Sequence, residues 1–248
     1  MTSSLHSRRF WLLTLAALLV ASLTFSLGQW QLRRAAQKEA VQAAVNVKNS
    51  FAPLDGKALS ATENPASEVH RPAIIQGVWQ PAHTVYLDNR PMGGRTGFWV
   101  VTPLLLLGTN RVILVQRGWV PRDFSDRVRL PEVVTPAELV TVEGRIAPPP
   151  SKLYEFKGVD TGRIRQNIDL VVFSKESGLD LFKNVSLLQT GAASDGLLRE
   201  WTQPGLGVDK HYGYAFQWFG LCILVIFLYM WFQVIVPFRD SSREPIRD

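Results

Sequence analysis

The sequence predicts a membrane protein of mixed class: two transmembrane helices flanking one mainly antiparallel β domain, sheet or open barrel, with few short helices. Three observations predict it. Two charge-free apolar runs stand near opposite ends of the 248-residue chain, Phe10–Gly28 and Tyr214–Val236. The residues between them are dominated by short runs rich in β-branched and aromatic side chains, bounded by turn formers. No helical pattern separates the first four of those runs, which favours consecutive antiparallel pairing over a parallel sheet.

The apolar runs hold 19 and 23 residues. At about 1.5 Å per residue they reach roughly 28 and 35 Å, enough for a hydrocarbon core of about 30 Å. Arg8 and Arg9 precede the first run, as in a secretory leader. The run is longer than a leader core and continues into a helix-favouring stretch, Trp30–Val47, so it is read as a retained anchor. The division expected is a tail over 1–9, a first span over 10–30, a β-rich domain over 31–210, a second span over 211–236 and a tail over 237–248. With two spans both tails share a side. Arg8, Arg9, Arg239, Arg243 and Arg247 favour the cytoplasm for it, although Arg33, Arg34 and Lys38 stand across the membrane. No long Arg- and Ser-rich transit segment is present, which favours a bacterial protein.

Within the domain, 71–80 and 83–89 read as a hairpin about Pro81-Ala82. A second hairpin joins 98–106 to 111–119 through Leu107-Gly108-Thr109-Asn110. Further strands are expected at 139–146 and 185–190 and a short helix at 169–177, with Pro148-Pro149-Pro150 breaking the domain into a larger early and a shorter late half.

The net charge of +6 gathers beside the spans and suits anionic lipid headgroups, with no motif for nucleic acid. The one cysteine, Cys222, lies in the second span, so no internal disulfide can form. HExxH, GxSxG, Walker and CxxC motifs are absent, and no nucleophile, base and oxyanion set is visible, so an enzyme is not expected. Gly205-Leu206-Gly207 reads as a loop. His70 and His83, with Asp88, flank the first hairpin; solvated histidines are the ordinary reading and a metal site the sharper one.

Two features of the spans invite a ligand. Thr14, Ala17, Ala21, Thr24 and Gly28 form a stripe of small residues, where the chain's own second span or a flat ligand can approach closely. His211, Tyr214, Ala215, Trp218 and Cys222 share a face of the second helix, and His211 stands at the membrane boundary. A neutral imidazole there is either hydrogen-bonded at the interface or an axial ligand for haem iron. His211 lies at the depth of Trp30 and Gln31, so a macrocycle between the helices would set its propionates near Arg33 and Arg34. Arg117-Gly118-Trp119 ends a predicted strand: Gly118 allows a bulge and Trp119 closes the core, with a partner surface as the other reading. Asp88 and Arg90 suggest a turn ion pair.

Gly28-Gln29-Trp30-Gln31-Leu32-Arg33-Arg34, Asp88-Asn89-Arg90, Gly97 through Pro103, Arg117-Gly118-Trp119-Val120-Pro121 and His211-Tyr212-Gly213-Tyr214-Ala215 with Trp218-Phe219 together resemble the surfeit locus protein 1 family of cytochrome c oxidase assembly factors. The resemblance runs over nearly the whole chain in order. It implies a periplasmic domain between two helices of the bacterial inner membrane. It also implies transient binding of haem a and its insertion into oxidase subunit I, with haem a synthase as a further partner. His211 is then the axial iron ligand, and Tyr214 and Trp218 line the site. A haem-free scaffold for an oxidase intermediate is the alternative. The chain departs from the family pattern at Gln116, at Asp209-Lys210 and at Gln217; the second change adjoins the ligand position.

Overall fold

The computed structural model describes residues 8–123, 130–154, 162–192, 195–201 and 207–241. His6, Gly205, Leu206, Arg243 and Arg247 lie outside them. The chain forms two compact units: residues 1–43 with 203–248, and residues 44–202.

The first unit is helical. α1 runs unbroken over Arg8–Asn49, 42 residues or about 63 Å. α4 spans Val208–Met230, and α5 follows at Val236–Ser241 after a π-helical turn, Trp231–Ile235. Both long helices carry apolar windows that are almost wholly exposed, and by length and composition both can cross a membrane. The stripe of small residues meets the second helix. Thr14 Oγ1 and Tyr229 Oη lie 2.8 Å apart, Cys222 Sγ is 3.4 Å from the Ala21 carbonyl, and Ala215 and Cys222 are buried. Positions 14, 21 and 28 run against 229, 222 and 215 in steps of seven, the spacing of an antiparallel helical seam. The stripe is therefore the helix–helix contact rather than a berth for a flat ligand.

The second unit is a barrel with an extension. Its strands are β1 (Pro72–Trp79), β2 (Val85–Met92), β3 (Arg95–Leu106), β4 (Val112–Pro121), β5 (Leu139–Ala147), β6 (Ile164–Arg165) and β7 (Ser186–Gln189). They run in the order β1-β5-β7-β4-β3-β2-β6, and a further β1–β3 pairing closes five of them into a ring. Pairing is antiparallel except for β4–β7 and β2–β6. Closure brings Gly77 against the Leu105 carbonyl, where a Cβ has no room. Short helices α2 (Gly56–Ala61) and α3 (Leu170–Ser177) complete the unit.

β3 and β4 are buried along most of both faces, which is why they read as continuous apolar runs. One face fills the ring with Ile75, Trp79, Leu104, Ile113, Val142 and Leu187. The other packs Val101 and Leu114 against Leu170 and Phe173 of α3.

Three expectations are corrected. The 71–80 and 83–89 runs are strands but not a hairpin: β1 pairs with β5 and β3, while β2 pairs with β3 and β6. The turn Pro81–His83 passes the chain from one half of the long β3 to the other. The proline run does not divide the domain, because β7 inserts between β4 and β5 and Ser186 Oγ donates to the Pro148 carbonyl at 2.7 Å. Asp88 and Arg90 do not pair. Asn89 adopts φ 59 at a bulge, which turns Asp88 out to Arg122 at 2.9 Å and Arg90 into the core.

α3 begins at Asp169, whose Oδ1 accepts from the amides of Val171 and Val172, and it ends at Gly178 with φ 70. The Asp169 carboxyl is held below its ordinary range, first by the Lys152 ammonium and then by those amides. Its folded pKa lies under the unfolded one, so the cap's stabilisation is full above the unfolded value and is lost as pH falls through the folded value. Asp169→Ala is expected to cost about 1 kcal/mol at neutral pH, read from the denaturant midpoint. That gap should close in acid below about pH 4, where the unfolded carboxyl protonates.

Candidate functional site

The sequence placed its candidate site at the start of the second span, on His211, Tyr214 and Trp218. In the structure Nδ1 of His211 lies 2.7 Å from Oε1 of Gln31 on α1. A carboxamide oxygen only accepts, so Nδ1 is the donor in this contact, and a neutral ring that donates there keeps its lone pair on Nε2. That is the tautomer a metal ligand bound through Nε2 requires.

Packing fixes this pair. Gly28 lies one turn before Gln31, and a Cβ there would stand 2.7 Å from the Phe219 ring. The missing side chain lets α4 close on α1. Phe25 meets Phe219 edge-on at 5.6 Å, and Tyr212 Oη donates to Glu39 at 2.9 Å on the other side of the pair. Gln31 is 9% exposed, while His211 is half-buried.

The three predicted residues do not all face one way. Ala215 and Cys222 occupy the seam, Trp218 is half-buried at its edge, and Tyr214 is 52% exposed on the flank. With Phe219 filling the gap beside Gly28, no room remains for a macrocycle between the helices at that level. Arg33 and Arg34 are exposed, and Arg34 lies 5.8 Å over the Trp30 ring. Toward the other end of the spans an apolar groove of about 760 Å³ opens among Phe10, Ala17, Tyr229 and Phe232, with no histidine among the described residues that line it.

In the β unit, His70 and His83 stand at opposite ends of β1, whose eight residues at about 3.3 Å each separate them by roughly 25 Å. Among the described residues no group of three histidine, cysteine or carboxylate side chains gathers for a metal. The shared motifs of this unit are core. Gly118 adjoins a bulge whose extra residue is Arg117, and a Cβ on Gly118 would lie 2.6 Å from Leu197. Trp119 is fully buried, and its indole N–H donates to the Arg90 carbonyl at 2.7 Å. Arg90 donates to the carbonyls of Ser151 and Gln166, both at 2.8 Å, and lies 4.9 Å over Trp99. Arg117 meets Asp195 at 3.1 Å.

Gln31 is the site residue that sequence reasoning left without a role. Its signal was present: a polar side chain closing an apolar run at the depth of His211. Asp195, 78 positions from Arg117, gave no signal of that pairing.

The model of the SURF1 family matches residues 18–223. A SURF1-like protein of Rickettsia felis is 26% identical over 231 residues, covering 87% of this chain and 94% of that one. Surfeit locus protein 1 of Arabidopsis thaliana is 35% identical over 126 residues, 44% of this chain and 34% of that one. Cytochrome oxidase assembly protein SHY1 of Saccharomyces cerevisiae is 25% identical over 101 residues, 41% of this chain and 26% of that one. The matched span takes in Ala21, Gly28 and Cys222 of the helical seam, His211 and the whole β barrel, and the chain belongs to the SURF1 family.

Proposed function

We propose that this protein is an assembly factor for haem-copper cytochrome c oxidase that binds haem a transiently and aids its insertion into subunit I. It acts as a carrier, not an enzyme, in the inner membrane of a bacterium, with the β domain in the periplasm and subunit I and haem a synthase as partners. The observation that carries the haem reading is the Gln31–His211 contact, which leaves Nε2 as the free imidazole lone pair at the end of an apolar helix. Tyr214 and Trp218, one and two turns along α4 from His211, offer exposed and half-buried aromatic surface on the same helix. The family match and the SHY1 relative support the oxidase. One axial histidine suits a carrier, because release requires a bond that is readily given up, whereas ligation from both sides favours retention.

The test is spectral. Protein purified in detergent from cells that make haem a is expected to show a haem a band, and His211→Ala is expected to lose it. Colourless wild-type protein that still co-purifies with subunit I would replace the carrier with a haem-free scaffold.

A further inference from the structure

We propose that Gln31 is a positioning residue for His211: its carboxamide oxygen holds the Nδ1 proton, fixes the tautomer and the ring plane, and so presents Nε2 to iron. The haem half of this inference rests on the function proposed above; the tautomer half does not.

The geometry is specific. The Nδ1–Oε1 distance of 2.7 Å is short for a neutral N–H donor. Gln31 is 9% exposed, so little water competes for its oxygen. The two residues are 180 positions apart and on different helices, so nothing local imposes the contact. What imposes it is the helix seam, closed one turn earlier by Phe219 against Gly28. On the other side Tyr212 donates to Glu39, which limits rotation of α4 about its axis. A histidine held only by its own rotamer preferences would sample both tautomers and several ring planes. One buried acceptor on a rigid neighbour removes that freedom before a ligand arrives. Polar partners of this kind change the metal affinity of their histidines by about 10–100-fold when removed.

The inference is tested on the full chain in detergent, without haem, by nitrogen-15 NMR of histidine-labelled protein at about pH 8, above the ordinary imidazole range. The His211 signal is assigned as the one missing in His211→Ala. Wild type is expected to show a protonated Nδ1 and an unprotonated Nε2. Gln31→Leu removes the acceptor and is expected to release the ring to the Nε2–H form, while Gln31→Glu keeps an acceptor and should retain Nδ1–H. A wild-type ring protonated on Nε2 overturns the proposal even if every variant at position 31 fails to fold. So does a Gln31→Leu ring unchanged from wild type. In the second arm, haem a is titrated into the apo proteins. Gln31→Leu is expected to bind about 10–100-fold more weakly and Gln31→Glu to recover. Unchanged affinity in Gln31→Leu overturns the haem half. Unchanged affinity in His211→Ala defeats the function proposed above instead, and the haem-free arm still decides whether Gln31 holds the ring.

Discussion

Asp195→Ala is expected to destabilise the β domain by about 3–5 kcal/mol, the range for leaving a buried charge without its partner. Asp195 is shared by two guanidinium groups. Arg117 approaches it at 3.1 Å and Arg199 at 2.6 Å, and their side chains are only 2% and 6% exposed. Burial already pushes the Arg117 pKa down, and Asp195 opposes that shift. Without the carboxylate, two cations face each other in a space that water barely reaches. The neutral partners of Arg117 remain: the Val134 carbonyl, Thr135 Oγ1 and the Trp79 ring at 4.7 Å. They satisfy N–H groups but supply no full negative charge. Arg199 likewise keeps the carbonyls of Arg117, Gly191 and Ala192. The reciprocal change is milder. Arg117→Met leaves Asp195 with Arg199 and puts an apolar chain of similar length against Trp79, so it is expected to cost less than Asp195→Ala. Domains of this size have about 5–15 kcal/mol in total, so the loss at Asp195 should move the denaturant midpoint far. Equal midpoints for wild type and Asp195→Ala would show that the buried cations find compensation elsewhere.

The contrast between Asp195 and its partners shows where sequence reading stops. Arg117, Gly118 and Trp119 were visible as a strand end with a bulge and a core tryptophan, because turn chemistry and residue size act locally. Asp195 lies 78 positions from Arg117 and carries no periodicity of its own. The strands were legible for the same local reason: β3 and β4 declare themselves by mostly apolar runs about the turn Leu107-Gly108-Thr109-Asn110. Their partners were less so. The ring closes through β1 and β3, a pairing that depends on Gly77 meeting the Leu105 carbonyl, whereas neighbours in sequence suggested a hairpin of β1 with β2. β6 was invisible because two residues, Ile164 and Arg165, are too few to show alternation. In the helical unit the spans and His211 followed from hydropathy and position. The contact with Gln31 required knowing that Phe219 fills the place of the side chain Gly28 lacks, and packing of that kind is written in no single segment.

That packing carries the second large expectation. Gly28→Leu is expected to separate α4 from α1 at the level of His211, because its Cβ alone would stand 2.7 Å from the Phe219 ring and three more carbons must follow. Overfilling a packed contact costs about 1–3 kcal/mol, equivalent to about 5- to 150-fold in the ratio of closed to open seam. In a membrane the seam has no hydrophobic drive to offset this, since lipid tails are as apolar as the helix faces; close approach of small residues is what holds it. Gly28→Ala is gentler, because its single added carbon meets only the outer edge of the Phe219 ring. The native Cys222 supplies a measurement. Its Sγ lies 3.4 Å from the Ala21 carbonyl, so Ala21→Cys sets a second thiol on the facing turn of α1, and crosslinking to Cys222 under mild oxidation reads how close the two helices stand. Adding Gly28→Leu should lower the yield of that crosslink several-fold at fixed oxidation time. The same change should also free the His211 ring from Gln31 and, on the function proposed above, weaken haem a binding, with Gln31 and His211 themselves intact. If Gly28→Leu crosslinks like its parent and keeps the His211 ring on Gln31, close approach at position 28 is not what brings the imidazole to its acceptor, and the route from the small-residue stripe to the proposed ligand site fails.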